Sequence, residues 1–345
     1  MRLLIVTDAW QPQVNGVART YEWLSSHLAS RVDLHMLTPD GYPRAPMPTY
    51  PEIELALAWP NTIAASIRKT NPDIVHIATE GPLGLWARRY CRIARIPFTT
   101  CYHTRYPEYV ARRFPIPVRW SYAVLQRFHN AAARTLVATR GLAQELRHQG
   151  FARVVTWRRG VDVKNFADGP LANLNLPRPI FLYVGRVAIE KNISDFLKLD
   201  LPGSKVVVGD GPEKNRLQAQ YPDAHFLGSL HGDQLGAIYR TADCFIFPSK
   251  TDTFGLVMAE ALAAGVPVAC YPSSGAQEIF GGEACGIMSE DLQSAALKAL
   301  HLSRDLCRDV GKRHSLESSA ENFVSILRDV VADYAATGSR LATPS

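Results

Sequence analysis

The 345-residue sequence lacks several patterns that would assign it to a narrow class of protein. No window approaches the run of about 18 uninterrupted apolar residues that a membrane-spanning helix requires, so we expect no transmembrane segment. The first apolar run, LLIV, ends before Asp8. We therefore interpret it as an opening β-strand and not as a signal peptide. No internal repeat and no low-complexity segment occurs.

Metal-binding and disulfide patterns are also missing. The chain contains no C-x-x-C, H-x-x-x-H or D-x-D pattern, so we expect no bound metal ion. Six cysteines are present, mostly in apolar surroundings, which indicates buried, reduced thiols of a cytosolic protein. Their positions are Cys91, Cys101, Cys244, Cys270, Cys285 and Cys307.

Charge is distributed unevenly along a chain whose formal net charge is +6. Residues 1–165 contain 22 Lys and Arg against 11 Asp and Glu, whereas the remainder contains 16 against 21. Much of the basic excess lies between Arg88 and Arg134, where aromatic residues are interleaved with arginines such as Arg112, Arg113 and Arg119. This segment could dock on nucleic acid, an anionic membrane surface or an acidic substrate, or form a solvated face. The aromatic residues favour an interfacial segment.

Apolar runs divide the chain into two α/β halves. With 47% hydrophobic and 20% charged residues, the composition is typical of a soluble globular protein. Apolar strands that alternate with helices predict parallel, doubly wound sheets. A Pro-, Gly- and Asn-rich linker at 167–179 separates an N-terminal domain, 1–166, from a C-terminal domain, 180–335. The tail from about Leu292 is predicted to be helical, and its final helix can pack back on the N-terminal domain.

The most informative stretch is residues 249–268, SKTDTFGLVMAEALAAGVPV. It follows the apolar strand CFIF and predicts a tight loop, a helix and a short strand. Asp252 would lie on the loop at the carboxyl edge of the sheet, where open α/β sheets bind ligands. Glu260 would lie one to two turns into the helix, whose N-terminus offers N–H groups to a phosphate. An acidic N-cap and a solvated helix residue are an equally good interpretation of the two acids.

This stretch resembles the E-x7-E signature of retaining glycosyltransferases of family 4, with Asp252 in place of the usual first Glu. The resemblance extends over nearly the whole chain and implies the GT-B fold, in which two Rossmann-like, doubly wound domains face each other across a cleft. The segment TDTFG resembles the corresponding segment of the GDP-mannose-dependent alpha-mannosyltransferase branch. In this family the second acid, here Glu260, binds ribose hydroxyls. The donor-binding residues that the resemblance implies are Gly16, Phe254, Gly255, Leu256, Val257 and Glu260.

Two cations follow the first strand of the second half. Arg186 comes directly after FLYVG, and Lys191 follows five residues later, in GRVAIEKN. Cations at a strand end suit a diphosphate leaving group, although two surface cations are the alternative interpretation. The family has a G-R-x(4)-K pattern that holds the donor phosphates. The resemblance therefore implies that Arg186 and Lys191 stabilise the leaving group, while Asp252 positions the sugar and the β-phosphate.

Two features of the first half carry weaker signals. His103 ends the strand TTCYH, and a strand-end histidine is more often a structural hydrogen-bond partner than a catalytic residue. The resemblance implies that His103 points at the sugar. Gly16 ends the loop PQVNG and permits close approach of a ligand, or forms a plain strand–helix turn. The resemblance assigns this loop to the donor diphosphate and the acceptor. We interpret His76 and His129 as structural.

The resemblance implies retaining transfer of a hexose from a nucleotide diphosphate sugar to a hydroxyl acceptor, with no cofactor and no metal. GDP-mannose is the first expected donor, and a UDP-hexose or UDP-hexuronic acid is the second. The basic, aromatic first half indicates a lipid acceptor at the cytoplasmic membrane face, with a soluble glycan as the alternative and no nucleic acid as a partner. The rivals are a GT-B relic that binds nucleotide without turnover, and an epimerase or phosphorylase of the same fold.

Overall fold

The structure is a computed structural model that describes residues 1–13, 16–47, 50–108, 117–250, 252 and 254–337. The chain divides into two compact units. The first comprises Met1–Arg158 and Ser319–Ser345, and the second comprises Arg159–Ser318. Each unit contains a six-stranded parallel sheet. The predicted α/β class, with two doubly wound, Rossmann-like halves, is therefore confirmed.

The sheet of the first unit has the strand order β2-β1-β5-β6-β7-β8. The strands of this sheet are β1 Arg2–Val6, β2 Asp33–Leu37, β5 Ile74–Ile77, β6 Phe98–Cys101, β7 Arg134–Val137 and β8 Val154–Thr156. A separate antiparallel hairpin consists of β3 Arg44–Met47 and β4 Tyr50–Ala56. The helices of the first unit are α1 Gly16–Leu28, α2 Pro60–Thr70, α3 Pro82–Ala94, α4 Val118–His129 and α5 Arg140–His148. The sequence analysis did not predict the hairpin or β8.

Both faces of the first sheet are covered, and the side chains of β1 show this most directly. Leu3 and Ile5 pack in one apolar cluster, whereas Leu4 and Val6 pack in another on the opposite face. All four are buried. A strand that is buried on both faces has no polar alternation, which explains why RLLIV is a continuous apolar run.

The last helix of the chain completes the core of the first unit. This helix, α14 Leu316–Thr337, places Phe323 and Leu327 in the same apolar cluster as Leu3 and Ile5. The predicted helical tail consists of three helices, since α12 Leu292–Ala299 and α13 Arg304–Lys312 precede α14. Serine at position 303 caps α13, since its side chain accepts a hydrogen bond from the backbone N–H of the third helical residue.

The sheet of the second unit has the order β11-β10-β9-β12-β13-β14, which is the strand order of a Rossmann domain. Its strands are β9 Ile180–Val184, β10 Ser204–Val208, β11 His225–Gly228, β12 Cys244–Phe247, β13 Val268–Cys270 and β14 Gly286–Met288. Its helices, besides α12 and α13, are α6 Val163–Ala167, α7 Ile193–Leu197, α8 Lys214–Gln220, α9 Gly232–Thr241, α10 Leu256–Ala263 and α11 Ser274–Phe280.

The second unit begins before the predicted linker at 167–179. The guanidinium of Arg240, on α9, donates hydrogen bonds to the carbonyl oxygens of Asn165 and Phe166 and to that of Pro170. These bonds attach α6 and the first part of the predicted linker to the second unit. Composition alone could not reveal this attachment, because it depends on a side chain about seventy positions later in the chain.

All six cysteine side chains are buried, and none of them forms a disulfide. Burial raises the pKa of Cys91, Cys270 and Cys307 to about 12. Such thiols stay protonated at neutral pH and act as small apolar core residues. None of the helices in the described ranges combines the length and the apolar character needed to cross a bilayer.

Candidate active site

The loops after β9 and β12 leave the same edge of the second sheet. The two strands pair in parallel, with Phe245 opposite Leu182, and the strand order reverses between them. Ligands of open α/β sheets bind at such a reversal, beyond the carboxyl ends of the strands. The loop after β9 carries Arg186 and Lys191, and the loop after β12 carries Asp252. Three of the predicted site residues therefore lie at the position where this topology binds ligands.

Lys191 and Asp252 are in direct contact. The Nζ atom of Lys191 lies 2.5 Å from Oδ1 of Asp252, and both side chains are about four-fifths buried. The other carboxylate oxygen, Oδ2 of Asp252, is buried without a hydrogen-bond partner among the described residues, and so is Oγ of Ser249. Buried polar atoms without partners cost about 1–3 kcal/mol each, so they commonly mark a position that a ligand completes.

A buried tyrosine holds the backbone of Arg186. The hydroxyl of Tyr183 donates a hydrogen bond to the carbonyl oxygen of Arg186 at 2.9 Å. Burial raises the pKa of Tyr183 well above its ordinary value, and the negative charges of Asp252 and Glu190 add to the effect. The hydroxyl therefore remains a donor at any physiological pH, and this fixes the start of the cationic loop.

The turn after β10 packs closely against the same loop. Gly209 has φ +133°, and a Cβ atom there would lie 1.9 Å from the carbonyl oxygen of Gly185. Its backbone N–H donates to the carbonyl oxygen of Gly228 at 2.8 Å. Any side chain at position 209 would displace the loop that carries Arg186. Gly209, the first residue of the segment Gly209-Asp210-Gly211-Pro212, thus has an architectural role in this structure.

Helix α10 begins directly after Asp252 and its loop. Gly255 precedes the helix with φ +81°, and a Cβ atom there would lie 2.7 Å from Cε of Met258. No side chain caps this helix among the described residues. The backbone N–H groups of Leu256 and Val257 therefore stand at an uncapped helix N-terminus, which attracts anions. Phe254 is buried beneath this turn.

Glu260 lies on α10 and is completely buried. Its Oε2 accepts a hydrogen bond from the hydroxyl of Tyr239 at 2.8 Å. A ribose hydroxyl can form a hydrogen bond with this carboxylate only if the groups that bury Glu260 move when the ligand binds. The predicted ribose contact therefore stays a prediction, and the hydroxyl of Tyr239 helps to orient the carboxylate.

His103 and Gly16 lie in the first unit. His103 follows β6, and its Nε2 is 2.9 Å from the hydroxyl oxygen of Tyr21. Gly16 is exposed at the start of α1, and a Cβ atom there would meet nothing within 4 Å. The structure thus gives Gly16 no steric requirement for glycine. The neighbouring loop residues Val14 and Asn15 lie outside the described residues.

Asp8 occupies the N-terminus of α3 at the corresponding position of the first sheet. Its carboxylate accepts hydrogen bonds from the backbone N–H of Leu83 at 2.9 Å and of Gly84 at 3.3 Å, and from the hydroxyl of Thr79 at 2.8 Å. Burial raises the pKa of Asp8, and these hydrogen bonds offset part of that effect. The protein's own carboxylate thus fills a helix terminus that could otherwise take an anion.

Several other polar or glycine positions have structural roles in this molecule. Asp162 caps α6, since its Oδ1 accepts from the backbone N–H of Asn165 at 3.2 Å. Gly275 lies in the first turn of α11, and a Cβ atom there would lie 2.1 Å from the carbonyl oxygen of Phe254. His129 is buried and bonds Glu80 through Nε2 at 3.0 Å. Among the described residues, no three His, Cys, Asp or Glu side chains form a group that could hold a metal ion.

The sequence analysis missed three buried tyrosines that support predicted site residues. Tyr183 bonds the backbone of Arg186, Tyr239 bonds Glu260, and Tyr21 bonds His103. A sequence signal existed for one of them. Tyr183 is the single polar side chain in the buried strand IFLYV, directly before Gly185, and a buried tyrosine hydroxyl requires a partner nearby.

Two family models match the chain. The model described as Glycosyltransferase Family 4 matches residues 14–165, and the model described as Glycosyl transferases group 1 matches residues 171–323. Together they span both units.

Curated relatives differ in the sugar that their names specify. The GDP-mannose-dependent alpha-mannosyltransferase of Mycobacterium tuberculosis (strain CDC 1551 / Oshkosh) is 30% identical over 315 residues, which cover 84% of this chain and 83% of that protein. Sulfoquinovosyl transferase SQD2 of Arabidopsis thaliana is 31% identical over 253 residues, 68% of this chain and 49% of that protein. Alpha-monoglucosyldiacylglycerol synthase of Streptococcus pneumoniae (strain ATCC BAA-255 / R6) is 26% identical over 370 residues, 94% and 83% of the two chains.

The fold is shared with solved structures. A sucrose-phosphate synthase from Thermosynechococcus elongatus superposes with a TM-score of 0.75 at 20% identity, and the match covers 96% of this chain and 99% of that one. At this level of identity the likeness concerns the fold alone, which is the predicted one.

Proposed function

Because the chain belongs to glycosyltransferase family 4, we propose that it is a retaining mannosyltransferase, which transfers mannose from GDP-mannose to a hydroxyl group of an acceptor. The hexosyltransferase class follows from the family. The donor is supported by the mycobacterial relative at 30% identity and by the TDTFG wording around Asp252.

One observation carries this proposal: the contact between Lys191 and Asp252 at the edge where the strand order reverses. When a nucleotide diphosphate sugar binds, Lys191 and Arg186 neutralise the charge that develops on the diphosphate as the sugar–phosphate bond breaks. Asp252 keeps Oδ2 as an acceptor for a sugar hydroxyl, since this atom is buried and lacks a partner among the described residues. The uncapped start of α10 binds the β-phosphate.

Retention of configuration follows from attack on the same face of the sugar that the leaving group occupies. The acceptor oxygen forms a bond to the anomeric carbon as the bond from that carbon to the β-phosphate oxygen breaks. The acceptor proton passes to the departing phosphate, which serves as the base. Arg186 and Lys191 hold that phosphate in place, and His103 is assigned to the sugar by the family resemblance.

The alternative donors are a UDP-hexose and a UDP-hexuronic acid. The relatives with other sugars in their names support this alternative, because their identity to this chain, 31% and 26%, is close to the 30% of the mannosyltransferase. A relic that only binds nucleotide is disfavoured, since His103, Arg186, Lys191 and Glu260 are all present.

A donor-hydrolysis screen tests the proposal. Purified protein is incubated with GDP-mannose, GDP-glucose, UDP-glucose and UDP-glucuronic acid, with and without a lipid extract, and release of the free nucleotide is measured. We expect turnover with GDP-mannose that the lipid extract stimulates. Preferential turnover of a UDP-sugar would replace the donor, and binding without turnover of any donor would favour the relic.

We propose a membrane glycolipid as the acceptor and peripheral docking at the cytoplasmic membrane face. Helix α4 exposes Trp120 and Val124, which are 63% and 69% accessible, beside the exposed arginines Arg119 and Arg127. The neighbouring helix α3 exposes Ile93 at 70%. Exposed apolar side chains between cations are typical of a surface that binds an anionic membrane.

Part of the predicted basic segment serves other purposes. Arg88 donates to the backbone carbonyl oxygens of Phe128 and Arg127, which joins α3 to the end of α4. Arg105 forms a bidentate ion pair with Glu145. Arg112 and Arg113 lie outside the described residues. The docking surface proposed from the described residues therefore consists of the exposed positions on α3 and α4.

Sedimentation with liposomes tests the docking surface. The protein should sediment with anionic vesicles at low salt, and high salt should release it. Each cation near an anionic surface contributes roughly 1 kcal/mol, so replacement of Arg119 and Arg127 by Ser should weaken partitioning about thirtyfold. A control that replaces Arg216 and Lys298 of the second unit by Ser should leave partitioning unchanged. Protein that remains in the supernatant with anionic vesicles at low salt would make a soluble glycan the better acceptor.

A further inference from the structure

Two buried polar atoms of the first unit have no hydrogen-bond partner among the described residues. They are the hydroxyl oxygen Oη of Tyr102 and the carboxylate oxygen Oε2 of Glu108. Tyr102 is the residue directly after β6, and Glu108 follows it closely in the chain. Both lie beyond the carboxyl end of a parallel strand, where α/β sheets bind ligands. Neither residue belongs to the proposed donor site of the second unit.

The side chain of Tyr102 is held in a fixed position. It has no solvent exposure, and its ring packs against the rings of His129 and Phe151, with centroids 5.7 Å and 6.0 Å away. The backbone N–H of Tyr102 donates to the carbonyl oxygen of Leu136, on β7, at 2.9 Å. A ring packed this tightly does not turn its hydroxyl toward solvent. The hydroxyl therefore needs a partner at its present position.

The carboxylate of Glu108 is held through one of its two oxygens. Oε1 accepts a hydrogen bond from the hydroxyl of Tyr122 at 2.6 Å and lies 3.7 Å from the guanidinium of Arg105. Arg105 donates its hydrogen bonds to both carboxylate oxygens of Glu145. Two acids thus face one arginine, and Oε2 of Glu108 remains a charged acceptor without a donor among the described residues.

The hydroxyl of Tyr102 interacts electrostatically with this cluster. Burial raises the pKa of Tyr102 well above its ordinary value, and the neighbouring Tyr122 and Glu108 add to the effect. The phenol therefore stays protonated at physiological pH, so Oη remains a hydrogen-bond donor. A buried donor and a buried acceptor thus lie in the same cluster without a hydrogen bond between them.

The chemistry of the two atoms defines the group that can satisfy both. A phosphate or a carboxylate would accept from Tyr102 but would be repelled by Glu108. An ammonium group would donate to Glu108 but would leave the proton of Tyr102 without an acceptor. A neutral hydroxyl group accepts through its oxygen and donates its proton, so it matches both atoms.

We propose that Tyr102 and Glu108 form a hydroxyl-binding subsite of the first unit, which takes one hydroxyl group of a neutral polyol. Tyr102 donates to the oxygen of that hydroxyl, and the hydroxyl donates to Oε2 of Glu108. The side chain of Glu108 is 27% exposed, so the polyol approaches from its side of the pair. Only the clause that this polyol is the acceptor rests on the proposed function.

Spectra of protein with ¹³Cζ-labelled tyrosine test binding without turnover, and Tyr102→Phe identifies the signal of Tyr102 by its loss. The probes are glycerol and myo-inositol for a lipid head group, methyl α-mannopyranoside for a soluble glycan, and inorganic phosphate. We expect a saturable shift of the Tyr102 signal with at least one polyol and none with phosphate. The polyol that binds most tightly distinguishes the two sources. A signal that no polyol shifts, as when water alone bonds the pair, would overturn the proposal, and so would a shift with phosphate.

Variants test the two hydrogen bonds separately, with affinity measured by saturation-transfer NMR observed on the polyol. Glu108→Gln should weaken binding about tenfold, the lower range for a hydrogen bond to a charged group, and Tyr102→Phe about fivefold, as for a neutral one. Tyr221→Phe, which removes a half-buried hydroxyl of the second unit, should leave the affinity unchanged. Wild-type affinity in both Glu108→Gln and Tyr102→Phe would overturn the subsite.

Thermal unfolding without polyol distinguishes a ligand-binding hydroxyl from a structural one. Removal of a buried hydroxyl without a partner does not destabilise the protein, whereas removal of a bonded one does. Tyr102→Phe should therefore unfold at or above the wild-type midpoint. Tyr122→Phe, whose hydroxyl bonds Glu108, should unfold at a lower one. A midpoint as low for Tyr102→Phe as for Tyr122→Phe would show a structural role for Tyr102 and overturn the proposal.

Transfer assays separate the subsite from the proposed function. With the lipid extract as acceptor, Glu108→Gln should raise the apparent KM for the extract about tenfold, because the contact is made in the ground state and the transition state alike. The KM for the donor should change little. If polyol affinity depends on Tyr102 and Glu108 but the KM for the extract does not respond, the subsite is supported and its assignment to the acceptor fails. If neither responds, the subsite is wrong.

Discussion

The two units place a helix at the same point of their topology and use its N-terminus differently. In the first unit α3 follows β5, next to β1, and the carboxylate of Asp8 fills its N-terminus. In the second unit α10 follows β12, next to β9, and no described side chain caps it. The same architecture thus offers one occupied helix terminus and one open to an anion. We therefore expect the second unit to bind the diphosphate of the proposed donor.

The net charges of the two parts of the chain would have suggested that the first unit, not the second, binds the diphosphate. Residues 1–165 carry 22 cations against 11 acids, whereas the remainder carries 16 against 21. The proposed diphosphate site nevertheless lies in the acidic part, where Arg186 and Lys191 follow one strand. Charges within a few ångströms dominate a partly buried site, because solvent screens the distant ones. The basic excess of the first part is then available for another partner.

The largest expected effect on kcat concerns Arg186 and Lys191, the two cations of the second unit. Arg186→Ala and Lys191→Ala should each lower kcat about a hundredfold, because loss of one contact that stabilises transition-state charge typically costs on the order of 3 kcal/mol. Steady-state rates of donor hydrolysis measure this. Arg216→Ala and Lys298→Ala, which remove exposed cations of the same unit, are the matched controls. Rates within a few-fold of wild type for Arg186→Ala and Lys191→Ala would contradict the assignment.

The two acids should respond differently. Asp252→Asn should mainly lower kcat, by roughly the 2 kcal/mol of one hydrogen bond to a charged group, because Asp252 contacts Lys191 and is proposed to bind the sugar. Glu260→Gln should weaken nucleotide binding about tenfold, since a ribose contact is present in the ground state and the transition state alike. Calorimetric GDP affinity and kcat are compared for both variants. The reverse pattern would mean that the two roles are exchanged.

Much of the second unit was predictable from sequence because its signals are local. Arg186 and Lys191 directly follow an apolar strand, and Asp252 and Gly255 lie between a strand and a helix. The loops after parallel strands lie at one edge of the sheet, so the position of the predicted site follows from the strand order. The contact between Lys191 and Asp252 was not predictable, because it depends on the pairing of β9 with β12.

Less of the first unit was predictable because its polar contacts join distant positions. The hydroxyl of Tyr21 forms hydrogen bonds with the rings of both His76 and His103, and no spacing in the sequence indicates these contacts. The hairpin of β3 and β4 was missed because each strand contains a proline, which argues against a strand. The division after Arg158 was also not predicted, because it precedes the Pro- and Gly-rich segment.

A smaller effect tests the occupied helix terminus. Asp8→Ala should lower the free energy of unfolding by about 1–2 kcal/mol, because three hydrogen bonds to its carboxylate are lost. Urea unfolding measures this. Ser303→Ala, which removes an exposed cap of α13 in the second unit, should cost less. Calorimetry should find one GDP site in Asp8→Ala, as in wild type. Stability equal to wild type would show that Asp8 does not support α3.

The smallest expected effect concerns metal ions. We expect full activity in excess EDTA, because Arg186 and Lys191 supply the positive charge that a metal ion would otherwise bring to the diphosphate. Two observations support this expectation: the sequence has no D-x-D pattern, and the described residues contain no cluster of metal ligands. Rates with EDTA, and with EDTA followed by Mg²⁺ or Mn²⁺, measure it. Activity that EDTA abolishes and Mg²⁺ restores would contradict this expectation, because a metal ion would then neutralise the diphosphate together with Lys191. In that case Lys191→Ala should lower kcat by less than a hundredfold at saturating metal.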